Sequence, residues 1–370
     1  MFSTIIAKYL KILDRYIIKK YLTTFGFVLL ILSLIACVID LGEKIEDFKH
    51  EHVPVKTVLF DYYLNFIPHI NALLFPLIAL ISVVFFTSRM AYDSEIISIL
   101  NAGVSFQRVM RPYLVAAGII GIVHLAFNHY IVPNGNKKRL AVERKHVWKN
   151  NDKGKFDNVH MLLDPKTAVF VGYYNKHDST TRDFRIEKYD TAGNIVYLIK
   201  AETANFKTNP NRWELRQLSR RTFSGLYERL ETNISTLDTV LNLAPEDFSQ
   251  YLNQNELLTT GELSYEIYKR ESRGIGNFKP FEIEMHRRTA DAFTIVILTL
   301  IGMSIAARKV RGGMGFHLAL GIGIGALYIV VSKFSATFAQ QPDVPTWLGV
   351  WIPNFIFGAV ALFLISKAQK

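Results

Sequence analysis

Asp93, Ser94 and Glu95 head a short stretch, Arg89 to Ser105, that separates two long apolar runs. Polar residues before Ile96, Ile99 and Leu100 predict a capped helix. Ser94 or Asp93 supplies the cap, the acids suit the positive end of the helix dipole, and the aliphatics share one face at i, i+3, i+4. Ala102-Gly103 supplies the stop. Such a helix works by contact. Its apolar face suits a lipid surface or a groove in a partner, and both readings stay open on the residues alone. A second set is ionisable and lies in or beside apolar runs: Arg287, Arg288, Asp291 and Lys333. Charge is costly in a bilayer, so such residues pair, snorkel to an interface or serve a ligand. Asp291 is within one turn of Arg287 and Arg288, and an ion pair is expected. Lys333 either snorkels or faces a cavity, where it would attract phosphate. Lys44, Lys49 and Lys56 lie among Glu43, Glu46, Asp47 and Glu51, as anion contacts or as solvated surface charges.

Bond-making chemistry finds no constellation. There is no Gly-x-x-x-x-Gly-Lys-[Ser/Thr] loop, no His-Glu-x-x-His and no Gly-x-Ser-x-Gly. No catalytic residue and no metal site are expected. Gly321-x-x-x-Gly325 sits in an apolar run and predicts close helix packing rather than a dinucleotide loop. His124 and His129 are five residues apart, off a common helical face, and are expected as polar contacts within a bundle. Cys37 is the sole cysteine, which excludes an internal disulfide.

The elements that position these residues are six windows free of Asp, Glu, Lys and Arg: Tyr21–Ile39, Tyr62–Ser88, Pro112–Asn136, Ala292–Ala307, Gly312–Ser332 and Val344–Ser366. A membrane-spanning helix needs about 20 apolar residues. The windows therefore predict six spans, at about 21–41, 62–88, 112–133, 289–307, 312–334 and 344–366. Pro68, Pro76 and Pro353 are expected to kink the second and sixth. Asp40-Leu41-Gly42-Glu43 is no cleavage site, so the first window is expected as a retained anchor. With the N-terminus cytoplasmic, 13 basic residues flank the inner ends (Lys8, Lys11, Arg15, Lys19, Lys20, Arg89, Arg108, Arg111, Arg308, Lys309, Arg311, Lys367 and Lys370), against Lys44, Lys49 and Lys56 outside. Both termini are then inside and the long middle segment outside. That bias accounts for most of the net charge of +11, so no nucleic acid is needed as a partner.

The middle segment reads as strands: Thr167–Tyr174, Phe184–Tyr189, Ile195–Ile199, Ala204–Phe206 and Trp213–Leu215, with turns at Asp190–Asn194 and Asn209–Asn211. That spacing predicts an antiparallel sandwich or jelly roll, with helix starts at Pro245 and Thr260 and a return helix over Leu263–Glu271. The expected fold class is thus a polytopic α-helical membrane protein with an inserted all-β, jelly-roll-like domain. Residues 1–136 form the first membrane half, 137–262 the β-domain, and 263–370 the helical return and second membrane half.

Leu13-Asp14-Arg15-Tyr16-Ile17, the stretch Asp93-Ser94-Glu95-Ile96-Ile97 with Asn101-Ala102-Gly103-Val104-Ser105, and Glu284-Met285-His286-Arg287-Arg288 together resemble the YjgP/YjgQ permeases, the F and G subunits of the lipopolysaccharide exporter. The first motif leans toward the G-like subunit. The resemblance implies a permease of an ABC exporter in a Gram-negative inner membrane, not an enzyme. It pairs with a sister permease and is driven by a homodimeric cytoplasmic ATPase that binds the ATP and Mg. It takes lipopolysaccharide from the outer leaflet and passes it to a periplasmic β-jelly-roll bridge.

By the same resemblance, Asp93, Ser94, Glu95, Ile96, Ala102 and Gly103 form the helix that seats in the ATPase, with Glu95 its charged contact. Lys44, Lys49, Arg287, Arg288 and Lys333 become candidates for lipid phosphate. Phe27, Leu30 and Leu34 on the first span, with Leu327 and Val331 on the fifth, become lateral-gate candidates; lipid-facing residues would look the same. Some family members carry a basic residue near the outer end of the first span, where this chain has Asp40. A permease for another envelope lipid or lipoprotein, and a non-transporting envelope scaffold, are the alternatives.

Overall fold

The computed structural model describes residues 11–147, 157–175, 178–208, 211–248, 254–272, 278–308, 310, 313–341 and 343–368. Lys8, Lys309, Arg311 and Lys370 of the inner basic set, and Asn209 and Pro210 of one expected turn, lie outside them. The helices are α1 (Ile12–His50), α2 (Leu64–Tyr92), α3 (Glu95–Asn101), α4 (Phe106–Ala126), α5 (Val132–His146), α6 (Thr260–Ser272), α7 (Lys279–Ala306), α8 (Gly313–Phe338) and α9 (Thr346–Lys367). π-helical segments, Thr57–Tyr63 and Phe127–Ile131, lead into α2 and join α4 to α5. Six of the resulting rods are long and apolar enough to span a membrane, one for each window.

Their ends differ from the windows. α1 runs 39 residues, about 58 Å at 1.5 Å per residue, well beyond a hydrocarbon core of about 30 Å. The third rod continues through α5, because Lys137 to Lys145 are mostly strong helix formers with basic residues in the last turn. The expected domain start at residue 137 therefore falls inside a helix. The contacts form two compact units: residues 1–147 with 256–261 and 279–370, and residues 148–255 with 262–278. Most of the return helix α6 thus groups with the sheet, not with the second membrane half.

In the helical unit, the second and fourth rods are the most buried, and α1 and α8 the least. Polar pins join the rods. Tyr21 lies within 2.7 Å of Thr299 and donates to the Ala79 carbonyl; Ser33 donates to Asn71. Thr294, Tyr328 and Asn354 tie α7, α8 and α9, with Asn354 donating to the Ala290 carbonyl. A Cβ on Gly325 would stand 2.5 Å from Leu77, and one on Gly321 3.1 Å from Val84. The Gly321-x-x-x-Gly325 stripe is thus where α8 packs on α2. His124 meets the Ala72 carbonyl at 3.1 Å, and His129 meets Thr260.

In the second unit, β1 (Asp157–Asp164), β2 (Thr167–Asn175), β3 (Thr180–Tyr189), β4 (Ile195–Thr208), β5 (Arg212–Ser224) and β6 (Tyr227–Val240) form one antiparallel sheet in sequence order. Among the described residues this is a meander, without the crossovers of a full jelly roll. The expected strands Ile195–Ile199 and Ala204–Phe206 are one strand, β4. They read as two because the alternation slips between them. Val171, Phe184, Ala201 and Leu218 form one buried rung, and Tyr174, Thr181, Ala204 and Leu215 another. Each strand places two residues between these rungs instead of one, so a crease crosses four strands. Asp183 and Gln217 there adopt φ of 51°, and a Cβ on Gly172 would lie 2.9 Å from the Asp183 Cβ.

Candidate functional site

A cavity of about 150 Å³ in the helical unit is lined by His69, Asn128, Asn136, Glu256, Glu284, Arg287, Arg288, Asp291 and Lys333. An adjoining slot of about 110 Å³ shares Leu73, Arg287, Asp291 and Lys333 with it and is otherwise mainly apolar, with Pro76, Leu77, Leu298, Tyr328 and Ile329. A charged chamber thus lies beside an apolar slot, an arrangement that suits an amphipathic ligand.

The charges there are not equivalent. Glu284 accepts from Arg287 at 2.6 Å and from Arg288 at 3.0 Å. Arg288 is 2% exposed, and also donates to the Leu258 and Thr260 oxygens, so it holds the chamber wall. The expected Asp291 ion pair with either arginine is absent among the described residues; Glu284 takes both guanidinium groups because it lies one turn before each of them. Burial, with Glu284 nearby, holds the Glu256 carboxyl above its ordinary range. Lys333 is exposed, lines both chamber and slot, and makes no ion pair among the described residues. It is the group best placed to receive an anion, with Arg287, its side chain 35% exposed, beside it.

Lys44 differs. Its ammonium meets Asp40 at 2.6 Å and Glu143 at 2.7 Å and also donates to the Tyr62 hydroxyl. Arg139 supports Glu143 at 3.2 Å, and Asp40, Tyr62 and Glu143 are buried. Three oxygens already satisfy Lys44, so a phosphate would have to displace a carboxylate. Asp40 is thereby explained: one turn before Lys44, it is its ion-pair partner. Lys49 is exposed near the C-terminal end of α1.

The short helix forms where expected. Gly103 stops it at φ 82°, but Ser94 sits in the left-handed region at φ 63° and its side chain makes no cap. Ile96 is buried, and Ile99 and Leu100 pack on the bundle core, so the apolar face of α3 is used within the chain. What α3 leaves exposed is its polar side, including Ser98 and Asn101, next to exposed Asp93. Glu95 accepts from Tyr16 at 2.8 Å and from Lys20 at 3.2 Å, with a third of its side chain exposed. Nearby, Arg108 and Asp14 form a two-pronged pair at 2.7 Å on each arm, and this guanidinium holds the Asp14 carboxyl below its ordinary range. Tyr16, Lys20, Asp14 and Arg108 were not foreseeable as a cluster, since the partners are 75 to 94 residues apart.

The gate candidates divide. Phe27, Leu30, Leu34 and Leu327 are more than half exposed on the unit's surface, whereas Val331 is half-buried against the bundle core.

A model of the lipopolysaccharide export system permease LptF/LptG family matches residues 15–367. The chain is similar to the lipopolysaccharide export system permease protein LptG of Haemophilus influenzae, 23% identical over 367 residues that cover 96% of this chain and 99% of that protein. LptG of Escherichia coli K12 is 19% identical over 362 residues, covering 96% and 98%.

Proposed function

The chain belongs to the lipopolysaccharide export system permease LptF/LptG family, and on that premise we propose how its parts divide the work of moving lipopolysaccharide. It is a multi-pass inner-membrane permease subunit for lipopolysaccharide export. Both termini and α3 face the cytoplasm, and the sheet stands in the periplasm. The cargo enters from the outer leaflet beside the exposed faces of α1 and α8, where a sister permease completes the cavity. The lipid then passes to a periplasmic β-jelly-roll bridge. Extracting acyl chains into water costs about 0.8 kcal/mol per CH₂, so transfer needs both an apolar route and an energy source. ATP and Mg are bound by a separate homodimeric cytoplasmic ATPase, which receives the exposed side of α3, with Glu95, Asp93 and Ser94 at its head. The relatives named LptG, with Leu13-Asp14-Arg15-Tyr16-Ile17, favour the G slot.

For the lipid phosphates, Lys333 is the leading contact and Arg287 the second, with the apolar slot taking part of a chain. Lys49 meets phosphate at the outer surface. Lys44 and Arg288 act structurally. The observation that carries the reading is that the family match and the six-span architecture with its inserted sheet coincide over nearly the whole chain. Affinity purification in mild detergent tests it. Recovery of one ATPase and one homologous permease with bound lipopolysaccharide supports the reading. Recovery of the chain alone, or with another envelope lipid as cargo, overturns it.

A further inference from the structure

α3 and the start of α1 meet through the tips of long side chains. The Tyr16 hydroxyl donates to Glu95 Oε2 at 2.8 Å, and the Lys20 ammonium reaches Tyr16 Oη at 2.7 Å and both Glu95 oxygens at 3.2 and 3.3 Å. Lys20 also stands over the Tyr16 ring, 4.8 Å from its centre. The three groups form a closed triangle in which every edge is charge-assisted, since each has an ionised donor or acceptor. One turn earlier, Asp14, 2% exposed, is clamped by Arg108 at the start of α4. α3 and the start of α4 are therefore both pinned to the first turns of α1. Immediately above, Tyr21 is fully buried and lies 2.7 Å from Thr299 on α7.

We propose that Tyr16 and Lys20 are positioning residues that lock α3 to α1, so that a displacement of α3 is delivered to the first span as well as to the second. This rests on the reading of α3 as the ATPase-docking helix. α1 suits such transmission because it is the least buried of the six rods, with 11% of its apolar window inside the unit. Beyond its first turns, where Ile17, Tyr21 and Phe25 are buried, the rod is weakly packed and follows its held end. The triangle holds that end through an acid that the chain presents on α3 itself. An isolated surface ion pair is worth little, but here the carboxylate is shared by a hydroxyl and an ammonium that also bond each other, which fixes the geometry.

The test uses the complete complex, with its ATPase and sister permease, in proteoliposomes. Lys20→Met should leave ATPase association and hydrolysis near parental values, while lipopolysaccharide moved per ATP falls roughly tenfold or more, since its bonds to Tyr16 and Glu95 are both lost. Lys20→Arg should restore the ratio. An unchanged ratio in Lys20→Met overturns the proposal. Glu95→Lys separates this from the docking reading: full ATPase association in that variant sinks the docking reading itself. If Lys20→Met does not assemble, spin labels on exposed Lys19→Cys and Asn101→Cys in a Cys37→Ser background decide instead. Their separation should be the same in nucleotide-free and vanadate-trapped complexes, whereas a nucleotide-dependent separation contradicts the lock.

Discussion

Lys44→Met removes the hub of a buried network, and its cost can be worked from the geometry. The ammonium holds Asp40 at 2.6 Å and Glu143 at 2.7 Å, and its side chain is only 16% exposed. Loss leaves Glu143 with Arg139, and the single Tyr62 proton to serve either Asp40 or Glu143 but not both. Removing one partner of a fully buried pair costs about 3–5 kcal/mol. The residual exposure and the remaining donors place this case at the lower end, about 3 kcal/mol. At roughly 2 °C per kcal/mol for a chain of this size, the melting temperature in detergent should fall by about 6 °C. Adding Glu143→Gln removes the charge left most buried and should return part of the loss, with a coupling of about 1 kcal/mol or more. Scanning fluorimetry of the four chains measures both quantities. A melting temperature unchanged within a degree, with lipopolysaccharide binding lost, would refute the structural role and return Lys44 to the phosphate contacts.

Lys333→Gln removes the positive charge where an anion is expected; lipopolysaccharide photo-crosslinking from the chamber should fall roughly tenfold with little loss of thermal stability, because Lys333 is exposed and makes no ion pair among the described residues. Asp14 is held below its ordinary value of 3.8 chiefly by Arg108. Its stabilisation is therefore complete at neutral pH and is lost as pH falls through the lowered value; melting curves should show an acid-induced drop below about pH 4 that Asp14→Asn diminishes. Gly349→Val should prevent recovery of folded protein by size-exclusion chromatography, since a Cβ there would stand 2.8 Å from the Ala339 Cα. Gly172→Ala should lower the stability of the sheet, read by limited proteolysis, because the new Cβ meets the Asp183 Cβ at 2.9 Å across the crease.

The six spans were legible because bilayer thickness translates directly into apolar run length. Their ends were not: α1 and α5 continue on helix propensity and paired charges after apolarity stops. β6 was missed because its exposed faces are polar on both sides, as in Glu228-Arg229 and Glu231-Thr232-Asn233, so no alternation marks it. The crease divided β4 in the sequence pattern for a related reason, a period-two signal losing phase by one residue. Lys333 was legible as a charge in an apolar run, and the fold adds that it is exposed and lines the chamber and the slot. Lys44 read as free because Tyr62 and Glu143 come from 18 and 99 residues away. The short helix was legible in place and extent, but its apolar face turned out to serve its own bundle.

On the function proposed above, the chain conducts lipopolysaccharide out of the inner membrane on energy supplied by another polypeptide. Proteoliposomes holding the purified complex, with a periplasmic bridge protein bearing a photo-crosslinker outside, test it directly. Lipopolysaccharide adducts should accumulate only with ATP and the ATPase present, and the permease chain alone should neither hydrolyse ATP nor form them. Adducts at the same rate without ATP, or ATP turnover by the isolated chain, would contradict the account.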